Sequence, residues 1–184
     1  MGLTPCLVMQ PGEFGQTVFG LGALVLVVIV VIHGFGLDRI VVRYKGAAQK
    51  LREQASPTAV ATGVFAWSIF LMLVLHILET LVWALVVNRA GLIPQIRDAV
   101  YFCANAYTTL GEGDPILPAS WRELSPIMAI SGLFTFGWTT SVMFNIVGDH
   151  HDLCDELRAK RQPGRIAAHL KSKFRRSAKQ AETK

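Results

Sequence analysis

The chain has 184 residues, 52% of them hydrophobic and 17% charged, with a mean hydropathy of +0.40 and a formal net charge of +5. Soluble domains carry about 25% charged residues, so a soluble enzyme, a disordered chain and a collagen-like chain are disfavoured, and one domain with a tail is expected. A basic balance on so apolar a chain reads as orientation in a membrane rather than as nucleic-acid binding, because Lys and Arg gather in cytoplasmic loops.

The first apolar stretch, Phe14 to Leu37, holds no charge apart from that available to His33. It is long enough to cross a bilayer, which takes about 20 residues. A signal peptide would carry basic residues before its apolar core; here the first basic residue is Arg39, so a retained span is expected. The second stretch opens at Ser56-Pro57, a helix-start pair, and runs to about Val87 with one carboxylate, Glu79. The third runs from Leu124 to Gly148 without a charge. Each must be helical, since hydrocarbon satisfies no open backbone. Arg39, Arg43, Lys45, Lys50 and Arg52 lie between the first two spans, and a basic tail runs from Arg158 to Lys184. The positive-inside rule places both in the cytoplasm and the N-terminus outside.

Between the second and third spans, Ile96 to Tyr107 predicts one helix of three turns, too short and too polar to cross. A short helix followed by glycine-rich backbone, set between two spans, predicts a re-entrant loop. The strip after it reads Thr108-Thr109-Leu110-Gly111-Glu112-Gly113-Asp114. Glycine admits backbone conformations that put successive carbonyls on one side. Facing copies of such a strip would stack oxygen rings able to replace a cation's water. One copy cannot surround an ion, so this reading needs an oligomer. The other reading of the glycines alone is an ordinary outside loop.

That strip resembles the filter of the potassium-channel superfamily, Thr-Thr-Val-Gly-Tyr-Gly-Asp. Upstream, Ala99-Val100-Tyr101-Phe102 falls at the family's pore-helix aromatics, and Asn105 at the buried glutamate behind the filter of the bacterial two-span channel. Downstream, Ser131-Gly132-Leu133-Phe134-Thr135-Phe136-Gly137 resembles the inner helix of that channel, with Gly132 at its gating hinge. The resemblance covers about residues 71–147. It implies an all-α membrane protein: three transmembrane helices, a re-entrant pore helix and a selectivity-filter loop, assembled as a homotetramer around one pore. Residues 1–55 would form an extra N-terminal helix with a basic cytoplasmic loop, 56–148 the pore domain, and 149–184 a basic cytoplasmic tail.

By the same resemblance, Tyr101, Phe102 and Asn105 support the filter. Leu133, Phe136, Thr140 and Phe144, which share one helix face, line the cavity, with Phe144 closing it by excluding water. The departure is Glu112, where the family usually has Tyr or Phe. Four such carboxylates at the outer mouth attract cations, and acidic residues occur there in weakly selective relatives. The implied function is a potassium-preferring channel; the alternatives are a poorly selective sodium–potassium channel and a non-conducting channel-like subunit. No enzyme activity, no cofactor and no metal beyond the permeating K+ or Na+ is expected. A bacterial inner membrane is the expected location.

The first span has no counterpart in the two-span channel, and its Val/Leu/Ile surface reads as lipid-facing. It lacks the repeated arginines of a voltage sensor. His76 and Glu79 lie one turn apart and face the same side; a polar clamp to the pore helix through Arg97 or Asn105, or pH sensing, is expected of them. His33 is expected at the cytoplasmic interface, so that His33, His76, His150 and Glu79 lie at different depths and form no metal or haem site. Asp149-His150-His151-Asp152 reads as a solvated helix end. Ile166, Leu170 and Phe174 recur every fourth residue among basic groups, a stripe suited to anionic lipid. Cys6, Cys103 and Cys154 lack metal or redox spacing.

Overall fold

The computed structural model of the chain describes residues 11–113 and 116–161. Cys6, Asp114 and the tail stripe from Arg165 lie outside the described residues. Four α-helices follow one another: α1 (Pro11–Glu53), α2 (Thr58–Arg89), α3 (Ile96–Tyr107) and α4 (Leu124–Arg161), with a short 3₁₀ turn at Ala119–Trp121. No strand occurs among the described residues. Three helices, α1, α2 and α4, are long and apolar enough to cross a membrane, as expected of a membrane protein. The helix expected from Ile96 to Tyr107 is α3 with the same bounds.

Two expectations are corrected. The basic segment after Leu37 is not a loop, since α1 continues to Glu53. The Asp149–Asp152 run is not a helix end, because α4 continues to Arg161. The reason is periodicity. Ile40, Tyr44, Ala48 and Leu51 recur at spacings of three and four and are buried, as are Leu153 and Leu157. An apolar stripe on a charged helix is enough to keep it helical once the stripe has a partner.

Three helices end on a left-handed residue. Thr109 donates its N–H to Ala106 and Leu110 to Asn105; this six-to-one and five-to-two pairing needs a left-handed residue at the turn. Gly91 fills that place after α2, with φ +71°, Ala55 after α1 with φ 46°, and Thr109 after α3 with φ 61°.

The contacts divide the chain into two units. One comprises the described residues up to Arg39 with Leu71–Val142. Its core joins Ile29 of α1, Trp83 and Val87 of α2, Ala99 and Cys103 of α3, and Leu124 and Met128 of α4. The Trp83 indole donates to Ser131 Oγ (3.0 Å). Small residues seat α1 closely: a Cβ on Gly22 would meet Ile127 at 2.6 Å, and one on Gly34 would meet Trp138 at 2.8 Å. The exposed faces of α1 carry Leu24, Val27, Val31 and Phe35, a surface suited to lipid.

The other unit comprises Ile40–Phe70 with the chain from Met143 onward. Ala48, Leu51, Ala61, Leu153, Cys154 and Leu157 make its core. Arg52 Nε donates to Glu156 (3.0 Å), and Lys160 donates to the Arg52 carbonyl (2.7 Å), a cation on the C-terminal end of α1. The His150 ring stacks on Phe65, with centroids 4.4 Å apart.

Candidate functional site

The glycine strip begins where α3 stops. Thr108 Oγ1 donates back to Ala104 (2.7 Å) and closes the helix. Positive φ occurs at Thr109 (61°), Gly111 (71°) and Gly113 (61°), and not at Leu110 or Glu112. The sign of φ therefore alternates through five residues. Alternating right- and left-handed residues turn successive amides the same way, whereas an extended strand turns them alternately. Glycine adopts φ > 0 freely; the β-branched Thr109 does so at a cost of about 1–3 kcal/mol. The described strip, Thr108 to Gly113, is exposed throughout.

Behind it lies a cleft of about 200 Å³ lined by Phe102, Asn105, Ala106, Gly111, Glu112 and Leu117 among others. The Tyr101 hydroxyl donates to the Glu112 carboxylate, which raises the Tyr101 pKa. Glu112 is thus tied back to α3 by its side chain. Asn105 Nδ2 donates to the Tyr101 carbonyl (2.9 Å), and its buried Oδ1 has no protein partner. Burial pushes the Cys103 thiol up to about 12, so this cysteine stays protonated and inert.

On α4, Leu133, Thr140 and Phe144 are exposed, as the shared face requires. Phe136 is exposed as well, though less than these, and its ring stacks on His76 at 4.3 Å between centroids. Gly132 has a packing role. A Cβ there would lie 2.0 Å from the Tyr107 carbonyl oxygen, so glycine lets α4 pass against the end of α3.

A second group lies wholly inside the same unit. Tyr107, the last residue of α3, is buried. Its hydroxyl donates to Glu79 Oε2 (2.6 Å) and lies 2.6 Å from Thr135 Oγ1 and 3.0 Å from His76 Nδ1. Glu79 Oε1 lies 2.7 Å from His33 Nδ1. Thr139 Oγ1 sits 3.1 Å from His33 Nε2 and 3.0 Å from His76 Nε2. Glu79, His33, Thr139, His76 and Tyr107 thus close a ring of five side chains drawn from all four helices.

This corrects three sequence expectations. His33 is fully buried, not interfacial. His33, His76 and Glu79 do not lie apart: one ligand atom from each falls within 4.8 Å of the others. The α3 partner of Glu79 is Tyr107 rather than Arg97 or Asn105. The cause is again helical phase. On α1, Ile29, His33 and Leu37 are each four apart and all buried, so His33 points where its apolar neighbours point. The α4 partners missed in the sequence, Thr135 and Thr139, are also four apart, and Ser131, which accepts from Trp83, stands four before Thr135. That polar spacing on the face opposite Leu133 was the available signal. Tyr107 had none beyond ending its helix. His150 stays elsewhere, with Nε2 3.6 Å from Cys154 Sγ.

No protein-family model, curated protein or solved structure matches the chain.

Proposed function

We propose that the chain is one subunit of a tetrameric, potassium-channel-like pore that passes monovalent cations across a membrane through backbone carbonyls of Thr109 to Gly113. The observation that carries this reading is the alternation of φ through Thr109–Gly113. Left-handed Thr109 closes α3, but Gly111 and Gly113 continue the alternation beyond the helix end in an exposed strip. We read the alternation as turning the strip's carbonyls together, and these replace a cation's hydration only when other copies complete the ring. The resemblance of Thr108–Asp114 to the family filter and the unpartnered face of Leu133, Thr140 and Phe144 support the same assembly.

In the proposed mechanism a cation sheds water at the mouth, where Glu112 carboxylates concentrate it. It then passes carbonyl rings of the strip and the Thr109 hydroxyls, and enters a cavity lined by Leu133, Phe136 and Thr140. The partial negative charge at the C-terminal end of α3 lies beside the strip and favours the bare ion. Phe144 closes the lower cavity by dewetting. Tying Glu112 to Tyr101 leaves its peptide oxygen free for the ion, which supports the potassium-preferring reading. The four carboxylates favour the alternative, a weakly selective sodium–potassium channel.

Purified protein in a planar bilayer under opposed potassium and sodium gradients tests this. A reversal potential near that of potassium is expected. Reversal near zero selects the weakly selective channel, and no current from correctly folded tetramers overturns conduction in favour of a non-conducting subunit.

A further inference from the structure

The ring around Glu79 admits more than one arrangement of protons. Thr139 carries one hydroxyl proton and faces two imidazole nitrogens, His33 Nε2 and His76 Nε2, at 3.1 and 3.0 Å. It can donate to one of them only. If both Nε2 atoms carry protons, Thr139 accepts both. Each neutral imidazole then turns a bare Nδ1 inward. His33 Nδ1 faces Glu79 Oε1 at 2.7 Å, and His76 Nδ1 faces Glu79 Oε2 at 3.6 Å. Two nitrogen lone pairs against a carboxylate repel unless a positive charge sits among them. If instead His33 carries its proton on Nδ1 and His76 on Nε2, His33 donates to Glu79, Thr139 donates to His33 Nε2 and accepts from His76 Nε2, and His76 Nδ1 faces the Tyr107 hydroxyl at 3.0 Å. An added cation is what would stabilise the first arrangement, in which both Nδ1 atoms converge on the carboxylate.

We propose that His33, His76 and Glu79 bind one divalent transition-metal ion, of the zinc class, through both Nδ1 atoms and the carboxylate. Two imidazoles and a carboxylate are a zinc-type donor set. All three residues are buried and their ligand atoms already lie within 4.8 Å of one another. The outer shell fits equally well. With the ion bound, both outward Nε2–H groups would end on the same hydroxyl, Thr139, as metal-bound histidines end on an acceptor that fixes their tautomer. Tyr107 donates to the second carboxylate oxygen of Glu79 (2.6 Å) and orients it. A single proton also supplies one positive charge, but it needs one imidazole beside the carboxylate, not two converging from different helices. The ion would tie α1 and α2 to Tyr107, the residue before the glycine strip.

The test reads metal and not current, so it fails or succeeds apart from the channel reading. Full-length protein in detergent is stripped with a chelator, then titrated with Co2+ and with Zn2+. Metal content and the visible d–d bands of bound Co2+ are recorded. One ion per chain is expected, with d–d bands of a four- or five-coordinate site and Zn2+ displacing Co2+. His33→Gln and Glu79→Gln should abolish these bands. Thr139→Val keeps all three ligands and should weaken affinity by about 10–100-fold. His150→Ala, outside the site, should change nothing. Wild-type protein that stays metal-free, or uptake that survives both His33→Gln and Glu79→Gln, overturns the proposal. A metal-free wild type would leave the ring holding a proton. If the ligand variants fail to fold, wild-type stoichiometry, its Co2+ spectrum and the Thr139→Val shift still decide.

Discussion

Replacing Gly132 with alanine separates two roles for this residue. A hinge role, implied by the channel resemblance, predicts altered opening with stability intact. The packing described above predicts the reverse. The new Cβ would stand 2.0 Å from the Tyr107 carbonyl oxygen and 2.9 Å from its carbon, against an ordinary contact of 3.4 Å or more. The nearest atoms are backbone, so no side-chain rotation relieves the clash. Either α4 or the end of α3 must move by over an ångström. Tyr107 makes its bonds to Glu79 and Thr135 at 2.6 Å, and such a move carries both past the useful limit of about 3.2 Å. Overpacking costs about 1–3 kcal/mol, and losing a hydrogen bond to a buried charge adds about 1.5–3 kcal/mol. Alanine's helix preference returns about 1 kcal/mol. The net loss is about 1.5–5 kcal/mol, a large share of the usual 5–15 kcal/mol. Thermal unfolding in detergent measures it. Gly20→Ala is the control, since nothing lies within 4 Å of a Cβ there; it should unfold no earlier than wild type. Equal unfolding temperatures for Gly132→Ala and wild type would refute the packing argument and restore the hinge.

Further outcomes follow from the same geometry. Thr109→Gly removes the side chain from a left-handed position and should leave folding unharmed or improve it by about 1 kcal/mol, while losing ion selectivity in bilayer recordings; strong destabilisation would show that the Thr109 side chain is needed for folding. Glu112→Gln removes a carboxylate per subunit and keeps an acceptor for Tyr101, so single-channel conductance at low salt should fall and converge with wild type at high salt; a salt-independent change would deny the mouth-charge argument. Phe144→Ala should raise open probability, and recordings indistinguishable from wild type would remove the dewetting gate. Leu157→Ala opens a cavity in the core of the second unit and should cost about 2–5 kcal/mol in chemical unfolding; a loss under half a kilocalorie would mean that this core is not packed as described.

The sequence alone determined the helices and their number. Long runs without charge, such as Leu24 to Ile32, have no other backbone solution in hydrocarbon, and α3 ran from Ile96 to Tyr107 as its composition required. The glycine strip was legible too, because Gly111 and Gly113 alternate with Glu112 in a chain that otherwise breaks between helices. Where helices continued past the apolar runs was not, since the stripe of Ile40, Tyr44, Ala48 and Leu51 is diluted by five basic residues. The buried ring was decided by tertiary structure alone. His33 and Glu79 are 46 residues apart and Thr139 is 106 from His33, and no local pattern records which turn of one helix meets which turn of another. That meeting depends on the phase of four helices at once, fixed by close approaches at Gly22, Gly34 and Gly132, and a polar side chain reveals its partner only after those contacts are made.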